Sequence, residues 1–356
     1  MSDAGAARGR IFSGSSVRGA VVSLLAALGI GAAVFAVAGA NPLKAYAVML
    51  SGAFGNAFLL SEVLVKAIPL TLTGLAVALA ARMQLWNIGC EGQLVFGGVA
   101  AAGTALYIVP TMPPVVTLPA LVAAGLLGGA FWALIPAILK TRWQVSEIIS
   151  TLMLNYVAVI YMEHLYFGPW RDPMGMGFPG TAMLPETCWL PRFFGTRIHL
   201  GLILAWGAVI LLWIGLRKTP WGYHLSVIGS NARAARYAGM PVGRYQLLVM
   251  VLSGALAGLA GMAEVGGIHL RLQQGLAVGY GYDGIIVAFL ARLNPLAVPM
   301  VACLLGVLIV GGDQLQTVLH LPSSISMVLE GAILLSLPIG QLAVRVMSGR
   351  PTGSRA

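Results

Sequence analysis

Residues 217–246 read RKTPWGYHLSVIGSNARAARYAGMPVGRYQ and hold Arg217, Lys218, Arg233, Arg236 and Arg244 with no Asp or Glu. They interrupt a chain of 356 residues that is 58% hydrophobic and 9% charged, with a mean hydropathy of +0.89. Apolar runs of about twenty residues recur along it, each long enough to cross a hydrocarbon layer of roughly 30 Å. The 46 glycines suit helices packed closely in lipid. The fold class these features predict is all-α, a polytopic integral membrane protein with no room for a soluble domain of ordinary size.

Ten spans are expected, at 20–40, 58–81, 88–109, 115–139, 145–167, 198–216, 247–270, 282–292, 295–312 and 323–344. The eighth is too short to cross alone. Asn41-Pro42, Pro113-Pro114, Gly168-Pro169 and Asn294-Pro295 supply the breaks. The first twenty residues and the long apolar run after them read as a retained first helix rather than a cleaved leader. Residues 1–19 then form a tail, 20–344 a transmembrane domain with an outer loop at 168–197 and a basic loop at 217–246, and 345–356 a second tail. With both termini cytoplasmic, fifteen Lys and Arg fall inside and six outside: Lys44, Lys66, Arg171, Arg192, Arg197 and Arg271. That is a positive-inside bias. It also accounts for the net charge of +10 without nucleic acid as a partner.

Several chemistries are absent. None of the four Lys follows a Gly, so no Gly-Lys-Ser/Thr cradle for ATP phosphates exists. There is no His-Glu-x-x-His zinc helix and no Gly-x-Ser-x-Gly elbow. The five His are scattered, and Cys90, Cys188 and Cys303 are too far apart to suggest a metal or disulfide framework. No cofactor is expected, and an enzyme is a poor fit. If ATP drives transport, a separate chain must bind it.

Charges within spans are informative because an ionised group in hydrocarbon is costly. Glu330 stands about eight residues into the last expected span, roughly 12 Å at helical rise. Glu91, Glu264 and Asp283 lie nearer span ends. Such groups either pair between helices or line a solute path. The path residues on the second reading are Asn87, Glu91, Gln93, Asn155, Asp283 and Glu330, the first three clustered where the third span begins. Gly125-Leu-Leu-Gly-Gly129 and Gly254-Ala-Leu-Ala-Gly258 have the spacing that lets helix backbones approach. Residues 74–83 and 284–293 match at five of ten positions and both end near an Arg. Repeats are common in transporters, although Ala-rich helices also match by composition. Trp170-Arg171-Asp172 reads as a structured outer turn, held by an Arg–Asp pair or shaped for a partner.

Within the basic loop, Asn231 can cap a helix whose interior is Ala232 to Ala238. Arg233 and Arg236 share a face, Gly239 fits the position just past the end, and Pro241 forbids continuation. A loop that only sets topology needs no such capping. A short, rigid, exposed helix suits docking into a groove on a soluble partner.

Asn87-Ile-Gly-Cys-Glu-Gly-Gln93, Glu147-Ile-Ile-Ser-Thr-Leu-Met-Leu-Asn-Tyr156, Gly168-Pro-Trp-Arg-Asp-Pro173 and the stretch from Gly229 to Gly261 together resemble permease subunits of bacterial ABC importers. The group is the branched-chain amino acid and simple-sugar permease superfamily, in particular its nucleoside-type members, and the resemblance covers roughly residues 60–345. Cys90 stands where relatives often carry an aliphatic residue. The resemblance implies a subunit of the bacterial inner membrane that moves a nucleoside-like solute inward by alternating access. It implies a second homologous permease, a cytoplasmic ABC ATPase and an external basic-membrane-protein-type lipoprotein as partners, besides membrane lipid. It makes Gly229, Asn231, Arg233, Ala234, Arg236 and Gly239 the ATPase-coupling residues. Riboflavin and simple sugars are neighbouring substrates in the same superfamily. From other classes, an ion-coupled secondary transporter would rest on buried carboxylates such as Glu330, and a membrane scaffold or channel would need no energy source.

Overall fold

The computed structural model describes residues 14–322, 324, 325, 327–332, 335 and 336. Residues 1–13 of the first expected tail, the whole tail at 345–356 and much of the expected span at 323–344 lie outside them. The chain divides into two compact units, Leu60–Gly306 and, separately, Met1–Leu59 with Val307–Ala356.

In the smaller unit a single first span gives way to two helices. Leu25–Val37, the apolar part of α1 (Gly14–Val37), meets α2 (Pro42–Phe54) at 111°. The corner has a local cause. Gly39 takes φ +77°, Asn41 Oδ1 accepts the Leu43 and Lys44 amides at 3.0 and 3.4 Å, and Pro42 begins the second helix without an amide to satisfy. Phe35, Met49, Leu315, Ile325 and Leu329 form the core of this unit, and Tyr46 closes it by donating to Leu28 O at 2.7 Å.

The larger unit contains α4 (Cys90–Gly103), α5 (Pro114–Trp143), α6 (Glu147–Phe167), α7 (Gly201–Lys218), α8 (Pro220–Ser230), α9 (Ala232–Tyr237), α10 (Val242–Glu264) and α11 (Tyr280–Leu290). Helices α3 (Ala57–Ala81) and α12 (Val298–Leu319) complete the described set. Among the described residues six helices are long and apolar enough to cross a membrane: α3, α5, α6, α7, α10 with its π-turn, and α12. The bent first pair raises this to seven if counted as one span. The described residues do not show the expected ten, and much of the tenth expected span, 323–344, lies outside them. The third expected span is α4, 14 residues long and extended only by a π-turn at Thr104–Ile108, and the eighth is α11, 11 residues long and as short as its sequence suggests.

Burial orders the helices. The apolar window of α3 is 89% buried and that of α10 72%, against 28% for α6 and for α7. The first two are therefore central and the last two peripheral. Helices α4, α5 and α10 meet at glycines. A Cβ on Gly258 would strike Gly125 O and lie 2.7 Å from Gly129 Cα, so no side chain fits between the backbones. Both Gly-x-x-x-Gly spacings are thus contact surfaces. The two similar decapeptides also meet: a Cβ on Gly284 would lie 2.6 Å from Thr73 Oγ1, and one on Gly74 2.7 Å from Val287.

The loop at 168–197 is ordered by main-chain pairing with the segment that follows α10. The Thr181, Leu184 and Leu190 amides donate to Leu272, Leu270 and Gly266 carbonyls at 2.8–2.9 Å. Trp170 packs on Gly103 and Tyr107, and Asp172 accepts the Met174 amide at 2.9 Å.

Candidate functional site

The basic interruption folds as two consecutive short helices. The first, α8, begins at Thr219-Pro220, a helix start within the stretch expected to be loop. It ends at Asn231, whose amide donates to Val227 O at 3.1 Å. The same residue starts α9: its backbone is extended at φ −158°, and its Oδ1 accepts the Arg233 and Ala234 amides, both at 3.0 Å. Gly239 follows at φ +79°, while Met240 donates to Ala235 O at 3.0 Å. Asn231 and Gly239 therefore hold the positions their sequence predicts.

Arg233, Ala234, Arg236 and Tyr237 all point outward, Tyr237 at 95% exposure, whereas Ala235 is fully buried. Gly229 has a different place from the other coupling candidates. A Cβ there would strike Arg82 O, so Gly229 is where α8 lies against the end of α3. His224 Nδ1 and Tyr245 Oη, 2.6 Å apart, tie α8 to α10. The exposed basic helix is thus braced on the membrane helices through α8.

A second constellation lies inside the unit. Asn87 and Gln93 pair through both amides, at 2.8 and 2.9 Å, and Asn87 also donates to Ser253 Oγ at 2.8 Å. Ser253 passes the link to Ala76 O at 2.7 Å, joining α10 to α3. Asn155 on α6 accepts the Gly92 amide at 2.8 Å and donates to Ile88 O at 2.9 Å and Tyr282 Oη at 3.1 Å. Glu91 reaches across to the start of α11, where its two oxygens accept the Gly279 and Gly281 amides at 2.8 and 2.6 Å. A carboxylate there satisfies orphan donors and complements the helix dipole. Asp283 stands in the first turn of the same helix. Five of the six path candidates are therefore neighbours around α4 and α11. Glu330, 8% exposed, belongs to the smaller unit.

The Glu91 clasp gives a direct test. Glu91→Gln keeps the shape but sets an amide NH2 against a backbone N–H. Its expected cost is about 1.5–3 kcal/mol, the range for hydrogen bonds to charged groups. The expected result is a lower thermal midpoint in detergent together with impaired uptake. Unchanged assembly and uptake in the variant would remove Glu91 from any role.

A third cluster is one that sequence reading missed. Glu62 pairs with Arg197 at 3.0 Å, and Lys66 donates to Tyr280 Oη at 2.9 Å. Glu264 faces His269 at 3.7 Å, and Gln273 bridges His269 and Arg271 at 3.3 and 2.6 Å. The Glu62 and Lys66 partners are 135 and 214 residues away, so no local spacing announces them. Glu264 meets His269 within one continuous helical element, one π-turn further on, rather than across to a second helix.

Residues 59–337 match the family described as branched-chain amino acid transport system / permease component. A glucose ABC transporter permease of Haloferax volcanii is 36% identical over 92% of this chain and 89% of its own length. A guanosine ABC transporter permease of Bacillus subtilis is 33% identical over 93% and 95%. A nucleoside ABC transporter permease of Lactococcus lactis is 30% identical over 87% of each chain.

Proposed function

The chain belongs to the branched-chain amino acid transport system / permease component family, and from that premise we propose that it carries nucleosides or related small solutes inward by alternating access. As an ABC transporter permease it is a membrane-embedded transport subunit, and ATP hydrolysis belongs to a separate ATPase. The observation that carries the reading is α9, a capped helix with Arg233, Arg236 and Tyr237 exposed, braced through α8 on the end of α3. Such a helix passes motion from a soluble partner to membrane helices, whereas a flexible loop would absorb it.

The rest of the assembly follows from the same reading. The face bearing α8 and α9 is cytoplasmic, both termini lie on that side, and the membrane is a bacterial inner membrane. A second homologous permease completes the pathway, and an external lipoprotein delivers the solute. The path passes α4 and α11. Asn87, Glu91, Gln93, Asn155 and Asp283 are its candidate residues, a reading supported by their grouping at the ends of these helices. Glu330 enters by its chemistry alone, as a carboxylate in a span.

Nucleosides are favoured by the guanosine and nucleoside permeases among the relatives. The glucose permease favours a simple sugar as the second reading. The test is uptake of labelled guanosine, adenosine and glucose into vesicles carrying the full assembly, with ATP or an ion gradient as the only energy source. Expected is nucleoside uptake that needs ATP and the external binding protein. Uptake driven by the ion gradient alone, or reporter fusions at 225–240 active outside, overturns the assignment.

A further inference from the structure

A cleft of about 320 Å³ opens between α8 and the ends of α3 and α11. Arg82, Gln84, Ser226, Ser230 and Arg292 line it, and no Asp or Glu does. Neither arginine takes part in an ion pair among the described residues. Arg82 donates one Nη2 bond to Leu293 O at 2.9 Å, and its Nε is buried without a hydrogen-bond partner. Burial first, and then the nearby Arg217, hold the Arg82 pKa below its ordinary value, although a guanidinium stays charged throughout the accessible range.

The backbone contributes to the shape. Gln84, Arg292 and Leu293 take φ of +56°, +51° and +56°, conformations that non-glycine residues seldom adopt. These left-handed turns end α3 and α11 and set both arginines at the rim of one hollow. Its volume is that of roughly ten waters, room for a phosphate and a substituent. Two guanidinium forks without a counter-charge suit phosphate geometry. The exposed Ser226 and Ser230 hydroxyls now donate to Gly222 and Val227 carbonyls at 2.9 and 2.8 Å, and a hydroxyl rotates to suit a better acceptor.

We propose that this cleft binds a phosphate-bearing anion, bridging α8 to the ends of α3 and α11. The inference goes beyond the transport reading and does not depend on it. The phosphate has two possible sources, the headgroup of an anionic lipid or a soluble phosphate.

Two binding measurements on the purified full-length permease test it and tell the sources apart. In neutral detergent, inorganic phosphate is titrated at constant ionic strength and followed by phosphorus NMR line broadening. In parallel, native mass spectrometry scores adducts of phosphatidylglycerol against phosphatidylcholine. Saturable binding is expected in at least one arm. Arg292→Ala, at an exposed position, should weaken it about ten-fold, as loss of one charge-assisted contact does. Gln84→Glu should abolish it by placing a carboxylate in the cleft. Sensitivity of the phosphate arm identifies a soluble anion, and sensitivity of the phosphatidylglycerol arm identifies a headgroup. Absence of saturable binding in both arms, or binding that neither substitution changes, overturns the proposal. That result would also follow if the cleft were built for an acidic side chain of the ATPase.

Discussion

Replacing Ala234 with Trp is expected to abolish ATP-driven uptake while leaving the permease in the membrane. Ala234 is exposed on α9 beside Arg233, and its methyl group leaves the helix surface low enough for another backbone to approach. An indole there holds a partner away without disturbing a buried contact. Ala235→Pro should have the same outcome by another route. The Ala235 amide donates to Asn231 O at 3.0 Å, and Pro both removes that bond and costs about 3 kcal/mol in a helix interior. A helix of 6 residues has little with which to offset it. Ala235 is also fully buried, so the Pro variant disturbs packing, and Ala234→Trp is the cleaner of the two. The measurements are ATPase activity stimulated by the loaded binding protein and co-purification of the ATPase. Full stimulated turnover and uptake in both variants would reduce the basic stretch to a topology signal.

The other large effect is on the fold. Gly258→Val should leave little monodisperse protein, because its side chain would meet the α5 backbone at both Gly125 O and Gly129 Cα. A rigid wall cannot yield as a flexible side chain can, so the expected cost is about 3 kcal/mol or more. Gly243, near the start of the same helix, provides the contrast. Nothing stands within 4 Å of a Cβ there, and Gly243→Ala should be neutral or stabilising by up to about 1 kcal/mol. Fluorescence-detected size exclusion and a thermal midpoint compare the two. A Gly258→Val protein as monodisperse and stable as the parent would mean that the three-helix contact is not what holds the unit.

Much of this was legible locally. Asn231, Gly239 and Pro241 delimit α9 because caps and breakers act over one turn, and the structure shortens the expected helix by only its last residue. Span boundaries were less legible where local chemistry competes with hydropathy. Asn41-Pro42 read as a break between spans, yet it starts another helix at a sharp angle, since a capped start can follow a break within five residues. Thr219-Pro220 starts a helix inside a basic, loop-like stretch, where the surrounding charge masks the signal. The buried network shows the opposite limit. Asn87, Glu91 and Gln93 were marked as a cluster, but hydropathy holds no record of their partners. Ser253 is 166 residues from Asn87, and the Glu91 acceptors serve amides 188 and 190 residues away. The sequence groups these polar residues, and only the fold shows that they hold helix ends.

Those long separations also order events during synthesis. Helices α3 and α4 leave the ribosome well before α11 exists, and at bacterial elongation rates of about 5–20 residues per second the interval is roughly 10–40 s. Throughout it the Glu91 carboxylate lacks the two amides that it accepts in the finished protein. Water or the insertion machinery must stand in, because an unpartnered carboxylate is poorly tolerated in hydrocarbon. The N-terminal half is therefore inserted unfinished, and arrival of Gly279 and Gly281 seals it. A chain that stops short of that point keeps a carboxylate without the two amides that the finished fold gives it.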